Sequence, residues 1–390
     1  MIKKTLILLM MTVVCALNSK AQLERGYYRI QNAYTDRYIS IEDNDKNNYT
    51  INKSTGSVDM SGIKTYKPGL KVTTSPSTIV LVHKVKGSKY DFEGQGTSIH
   101  EITNNRLYIH LVPQSDGSYQ AYGHYITDLY LKDDSDPNKE EAYLKPSSKS
   151  EKAMNWWARK VDTSTEYIGI LPDVEIGGKF YGTIFASFPF KLVSSGMKAY
   201  VVSSVSGDGF TLQEITGEIP AAEAVIIECS SNSPARNIIL PIESNVKLGI
   251  NNSLFGVYCD RKTAKFFNAT VYDQKTMRML SQHNGKLAFK KASENDLTQG
   301  QFLKANKAYL SVPNNAPDIL VLNGGAGGDS GEESGGDSGG GSGGESGIIS
   351  PTTCTIMNGD LYTLTGIRIP EGTTPKAGIY IKNGKKIIIK

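Results

Sequence analysis

The sequence predicts an all-β protein built from several small units. Tyrosine and β-branched residues favour strands, and the chain has 21 tyrosines among 390 residues. Short runs of alternating apolar and polar residues recur along the chain and end at glycine, proline or asparagine, as the strands of antiparallel sheets do. A chain of this length allows two or three domains.

The first 21 residues have the pattern of a secretory signal peptide. Lys3 and Lys4 precede an apolar run at 5–17 that is too short to span a bilayer. Small residues before the end of this segment predict cleavage between Ala21 and Gln22. We therefore expect export, to the medium or the cell surface, and no later stretch is apolar for long enough to form a transmembrane helix.

Lipidation at Cys15 is the alternative form of export, but lipoprotein processing requires a small residue before the cysteine, where this chain has Val14.

Removal of the signal peptide would remove three of the 43 Lys and Arg residues and none of the 39 acidic residues. The mature chain is then close to neutral, so nothing in its charge indicates nucleic-acid binding.

The remaining cysteines, Cys229, Cys259 and Cys354, are odd in number and widely spaced, which is not a disulfide framework. One bridge between Cys229 and Cys259 stays open as an alternative, and we expect small buried thiols instead.

Residues 323–347 form the clearest boundary. Thirteen of these 25 residues are glycine and most of the others are Ser, Asp or Glu, so they predict a flexible acidic linker. After it, β-rich runs at 379–382 and 385–390 flank Asn383-Gly384, a strong hairpin signal. The segment 348–390 is therefore expected to be a small β module.

Before the linker we place a boundary near Val161, which gives a first unit (22–161) and a second unit (162–322). The first unit contains three similar strand–turn–strand phrases, and its best helix candidate is the short segment before Trp156. The second unit has strand-like runs such as 198–205 and 210–215, and a β-sandwich-like domain is expected. The three phrases begin at Gly26, Ile79 and Gly117.

Each unit also resembles a known type of domain. The first unit is similar to a ricin-type β-trefoil, through GYYRIQN at 26–32, RYI at 37–39 and Trp157, which stands where such repeats have the tryptophan of a Gln-X-Trp motif. This resemblance implies a β-trefoil fold, and such trefoils often bind sugars. Other trefoils inhibit proteases.

The second unit resembles a β domain common in secreted Bacteroidetes-type proteins, through FPF at 188–190, GMKAY at 196–200 and KANKAYLSVP at 304–313. The last module resembles the C-terminal sorting domain of type IX secretion, through LYTLTG at 361–366 and KAGIYIKNGKK at 376–386. That resemblance implies delivery to the cell surface by the secretion machinery.

Common catalytic and metal-binding patterns are incomplete. The GDSGG at 336–340 matches a serine protease motif but lies in the linker, where nothing would hold the serine rigid. His100-Glu101 has no second histidine at position 104. The acidic loops 43–47 and 134–138 lack the glycine and glutamate of calcium loops. We predict no catalytic residue, metal or cofactor, although a pair of carboxylates, as in a glycosidase, stays open.

Aromatic side chains are the best candidates for ligand binding. Trp156 and Trp157 are adjacent, so on a strand they point to opposite faces and one of them should be outside. An exposed tryptophan is a good binding candidate. Tyr27 and Tyr122 are further candidates, and the alternative is that the aromatic residues fill the core and cross-strand pairs.

These features predict an exported, surface-displayed, non-catalytic binding protein whose trefoil-like head binds a glycan or a surface protein. Two alternatives stay open. In the first, the chain is a secreted enzyme or enzyme inhibitor whose site is assembled from scattered residues. In the second, it is a structural surface component without a discrete ligand.

Overall fold

The computed structural model describes residues 22–41, 63–94, 97–98, 109–123, 130–133, 141–147, 152–260, 269–323, 361–363, 368–369, 375, 378–382 and 385–389. Nearly all of its regular elements are β-strands, so the predicted all-β class is confirmed. The predicted signal peptide, with Ala21, and the linker after residue 323 lie outside the described residues.

The first unit contains eleven of the described strands and one five-residue helix, α1 (Leu70–Thr74). The segment before Trp156 forms a short 3₁₀ turn, Lys152–Met154, rather than an α-helix. The strands are β1 (Gly26–Asn32), β2 (Tyr38–Ile41), β3 (Ile63–Tyr66), β4 (Val80–Lys86), β5 (Lys89–Gly94), β6 (Thr97–Ser98), β7 (Ile109–Pro113), β8 (Tyr119–Gly123), β9 (Tyr130–Asp133), β10 (Glu141–Ser147) and β11 (Asn155–Lys160).

Six of these strands close a ring of antiparallel pairs in the order β1–β4–β5–β7–β8–β11 and back to β1. Between barrel strands, β2 pairs with β3 and β9 pairs with β10, and β6 pairs with β5. This closed barrel with added pairs is trefoil-like, as predicted. The second predicted phrase differs from the structure, because the strand after Ile79, β4, pairs with β1 and with β5.

The barrel interior is filled by side chains from alternate positions of the ring strands. Tyr28 and Ile30 of β1 point inward, as do Val80 and Val82 of β4 and Trp156 of β11, and all five are buried in one apolar cluster. Their intervening neighbours, among them Gln31 of β1 and Trp157 and Arg159 of β11, point to the outer face.

The second unit has two sheets and a separate two-stranded pair, β23–β24. One sheet has the order β12-β19-β15 and the other the order β13-β14-β18-β16-β17-β26-β22-β21-β25-β20. The strands are β12 (Ile168–Gly169), β13 (Val174–Ile176), β14 (Lys179–Ile184), β15 (Phe190–Leu192), β16 (Lys198–Ser206), β17 (Gly209–Ile215), β18 (Val225–Cys229), β19 (Ile238–Pro241), β20 (Leu254–Gly256), β21 (Met277–His283), β22 (Lys286–Lys290), β23 (Leu297–Thr298), β24 (Phe302–Leu303), β25 (Ala308–Ser311) and β26 (Ile319–Leu322).

Strand β16 is buried on both faces, because it lies between two apolar layers. Ala199 and Val201 pack in the cluster that contains Ile239 of the smaller sheet. Tyr200 and Val202 point the other way, into a cluster with residues of β21, β22 and β26. The larger sheet therefore folds over on itself, which gives the sandwich-like packing that the sequence predicts.

The C-terminal module forms a four-stranded sheet in the order β28-β27-β29-β30. Its strands are β27 (Leu361–Thr363), β28 (Arg368–Ile369), β29 (Gly378–Lys382) and β30 (Lys385–Ile389). Lys382 pairs with Lys385, which leaves two residues between β29 and β30. The two strands that flank Asn383-Gly384 therefore pair antiparallel, as the hairpin prediction requires, and Asn383-Gly384 itself lies outside the described residues.

Close packing against Gly256 gives a test of the second core. A Cβ at Gly256 would overlap the ring of Phe185, which is 8% exposed. We expect Gly256→Ala to lower the free energy of unfolding by about 1–3 kcal/mol, because a buried ring has to move. Gly249→Ala is the control, since nothing lies within 4 Å of its added carbon. Urea unfolding of both variants measures the difference, and equal midpoints would contradict the packing described here.

Candidate functional site

The two adjacent tryptophans lie on opposite faces of β11, as expected. Trp156 is only 1% exposed and its Nε1 donates a hydrogen bond to the carbonyl oxygen of Leu131 at 3.0 Å. The prediction that Trp156 binds a ligand is therefore wrong, because its ring lies inside the barrel. Trp157 is partly exposed on the outer face and stays a candidate.

A cation lies over the ring of Trp157, and a tight turn lies beside it. The guanidinium carbon of Arg159 lies 5.0 Å from the centroid of the Trp157 ring, within the range of a cation–π interaction. On another side, a Cβ added at Gly117 would lie 3.5 Å from Cζ3 of Trp157. Gly117 has a φ of +86°, so this turn can approach the ring without a side chain between them.

Hydrogen bonds hold the guanidinium in place. Nε of Arg159 donates to Oε1 of Gln31 at 3.0 Å, and Nε2 of Gln31 donates to the carbonyl oxygen of Asp36 at 3.3 Å. Gln31 is 9% exposed, whereas Arg159 lies at the surface. Within the described part of the chain, Arg159 forms no ion pair with a carboxylate.

A fixed carboxylate lies in the turn beside Trp157. Oδ1 of Asp116 accepts hydrogen bonds from the backbone nitrogen of Ser118 at 2.9 Å and from its hydroxyl at 2.6 Å. These two hydrogen bonds lower the pKa of Asp116 below its ordinary value, and the bond from the Ser118 hydroxyl has the larger effect. We name the group Gln31, Asp116, Gly117, Trp157 and Arg159 the Trp157 surface. It combines an aromatic ring with a cation, an anion and an amide.

Tyr122 belongs to a different aromatic group. Its ring stacks on His110 with centroids 4.8 Å apart and meets Tyr130 at 5.7 Å, so three neighbouring strands form an aromatic ladder. Nδ1 of His110 lies 2.8 Å from the hydroxyl of Ser88. Trp156 pairs with Tyr119, the first residue of β8, so Trp157 lies near the start of β8. Tyr122 lies near the end of the same strand. The structure therefore does not bring Tyr122 and Trp157 together.

Tyr27 is half-buried and packs against the second unit. Its ring packs on Phe188 with centroids 5.7 Å apart, and its hydroxyl donates to the carbonyl oxygen of Ile242 at 3.2 Å. Burial, followed by the charges of Glu243 and Glu93, raises the pKa of Tyr27 to about 12. Its ring and its hydroxyl both take part in the junction between the two units, and ligand binding by Tyr27 stays a prediction.

Beside Tyr27, a buried ion pair joins the first and second units. Arg29 has no exposed surface, and its Nη1 lies 3.4 Å from Oε2 of Glu166, whose side chain is 13% exposed. Oε1 of Glu166 accepts a hydrogen bond from the hydroxyl of Tyr38 at 3.1 Å. Arg29 also donates to Thr78 Oγ1 at 3.1 Å, to the Val72 carbonyl at 3.2 Å and to the Tyr167 carbonyl at 2.7 Å.

The cysteines are free where the structure describes them. Cys229 and Cys259 are both buried and unbridged, so the alternative of a bridge between them is not realised. Burial raises the pKa of the Cys229 thiol to about 12, which keeps it protonated and unreactive at neutral pH. Cys354 lies outside the described residues.

Among the described residues, no group of three His, Cys, Asp or Glu side chains could hold a metal ion. No helix in the same residues is long and apolar enough to cross a membrane. Several sequence motifs fall outside the described residues: His100-Glu101, the acidic loops 43–47 and 134–138, and the GDSGG at 336–340.

Sequence reasoning missed Arg159, Gln31 and Asp116. Arg159 had a usable signal, since it follows Trp157 by two positions and therefore shares its face of the strand. Gln31 had none, because its role depends on the pairing of Gln31 with Trp157 across two strands that are distant in sequence.

No family model matches this sequence, and no curated protein matches it. A solved structure described as "Structure and mode of action of a mosquitocidal holotoxin" is similar over 75% of this chain, with 10% sequence identity and a TM-score of 0.27. This chain covers 34% of the length of that toxin chain.

Proposed function

We propose that this protein is an exported, non-catalytic binding protein whose first unit binds a glycan at the Trp157 surface. The supporting observation is the partly exposed ring of Trp157 with the guanidinium of Arg159 fixed 5.0 Å from its centroid. Sugars present apolar C–H faces and hydroxyl groups together, so they suit an aromatic ring that is bordered by fixed donors and acceptors.

The fixed geometry of this surface supports binding as well. Gln31 is buried and hydrogen-bonded on both sides of its amide, and Asp116 is held by Ser118. A ligand therefore does not have to order these side chains, and avoiding that cost increases affinity.

Two features of the sequence support export and display at the cell surface. The signal-peptide pattern at 1–21 and the sorting-domain resemblance of 348–390 support delivery to the cell surface through the secretion machinery. The composition of 323–347 predicts a linker, and a random coil of this length would reach about 25–30 Å. The binding unit would thus sample a volume around its point of attachment.

The test is glycan-array binding by the secreted chain and its variants. We expect Trp157→Ala to weaken binding by about tenfold or more, as truncation of a central aromatic contact does, and Trp157→Phe to retain part of it. Tyr122→Ala is the matched control, and we expect it to bind like the wild type. Circular dichroism checks that each variant is folded.

Two results would count against this proposal in different ways. If Tyr122→Ala loses binding and Trp157→Ala does not, the site is the aromatic ladder and the Trp157 surface is the wrong location. If the folded wild-type protein binds no glycan, the glycan proposal fails, and a protein ligand at the cell surface becomes the next candidate.

A further inference from the structure

We infer that the Trp157 surface selects glycans that carry a carboxylate group, the class of uronic and sialic acids. This inference rests on the proposed function, because it names the kind of sugar that the same surface would bind. Its basis is the charge on Arg159 and the position of that charge relative to Arg29.

Arg159 offers hydrogen-bond donors to a ligand. A guanidinium has five N–H donors in a planar fork, and the bond from Nε to Gln31 uses one of them. Arg159 is an exposed residue, and no described carboxylate forms an ion pair with it. A guanidinium fork of this kind matches the two oxygens of a carboxylate.

Arg159 also lies opposite a second arginine on the neighbouring strand. Arg29 of β1 lies directly opposite Arg159 of β11 in the strand register, and like charges in such pairs repel. The structure neutralises Arg29 with Glu166, whereas Arg159 has no such partner in the described part of the chain. A ligand carboxylate would give Arg159 the kind of partner that Glu166 gives Arg29.

The charge of Asp116 sets the orientation in which an acidic sugar would bind. Asp116, in the turn beside Trp157, is the fixed anion of this surface. An acidic sugar would stack its ring on the exposed part of Trp157 with its carboxylate towards Arg159 and away from Asp116. Asp116→Asn should therefore preserve or strengthen the binding of an acidic glycan.

The experiment compares one acidic oligosaccharide with its carboxyl-reduced form, in which each uronic acid has become a neutral hexose. Calorimetry with the secreted chain measures both dissociation constants. We expect the wild type to bind the acidic form about tenfold or more tightly. Arg159→Gln should bring the two constants together, and Arg159→Lys should restore part of the difference, because an ammonium provides the charge without the fork.

Arg236→Gln is the matched control, since Arg236 is also exposed and the variant changes the net charge equally; the preference should persist in it. Equal binding of both oligosaccharides by the wild type would overturn the inference and leave the proposed function standing. Loss of preference in Arg236→Gln would also overturn it, because the effect would then come from overall charge. If neither oligosaccharide nor any arrayed glycan binds, the proposed function itself fails. The wild-type comparison decides the inference even if Arg159→Gln does not fold.

Discussion

Replacing Trp156 with alanine is expected to lower the free energy of unfolding by about 3–5 kcal/mol, the cost of truncating a large buried aromatic side chain. The ring is 1% exposed and lies in the apolar cluster that fills the barrel. The substitution also removes the donor to the carbonyl oxygen of Leu131, and an unpaired buried acceptor adds to the cost.

Two further variants separate these contributions. Trp156→Phe keeps most of the buried volume and loses the hydrogen bond, so we expect a smaller loss of about 1–3 kcal/mol. Trp157→Ala is the matched control on the other face of β11, and we expect it to cost less than either. Urea unfolding followed by circular dichroism measures all three, and a larger cost for Trp157 than for Trp156 would contradict the assignment of inner and outer faces.

The same pair shows how far the sequence predicts this site. Alternation along a strand is local, so adjacent tryptophans on opposite faces follow from the sequence, but which of them points inward does not. That choice depends on the six-strand ring, in which β11 pairs with β1 and β8. Segments distant in sequence form these pairs, and the strand pattern alone does not specify them.

Tyr27 and Arg159 illustrate both limits. Tyr27 is in an alternating strand like any exposed tyrosine, and only the second unit, through Phe188 and Ile242, covers it. Arg159 is predictable as a neighbour of Trp157 by its spacing. That Arg159 faces Arg29 is not predictable, because the contact depends on the register between the first and the last strand of the barrel.

Arg29 provides the other large effect, since it is the buried charge at the junction of the first two units. We expect Arg29→Met to lower the free energy of unfolding by about 3–5 kcal/mol, because the variant leaves Glu166 without its cation in a largely buried position. The carbonyl oxygens of Val72 and Tyr167 also lose their donor. Calorimetry should show the transition broadening or dividing, as the two units lose the contact that couples them.

A second ion pair across the same junction serves as the matched control. Arg25 lies 2.7 Å from Glu243, but both side chains are about half exposed, at 49% and 50%. Exposed pairs contribute about 0–1 kcal/mol to stability, so Arg25→Gln should have little effect on the free energy of unfolding.

Arg29→Met combined with Glu166→Gln should cost less than the sum of the single variants, because removing both charges leaves neither one unpaired. Equal costs for Arg25 and Arg29 would show that burial does not set the strength of this junction. The units would then be held by the contact of Tyr27 with Phe188 and by the apolar packing around it.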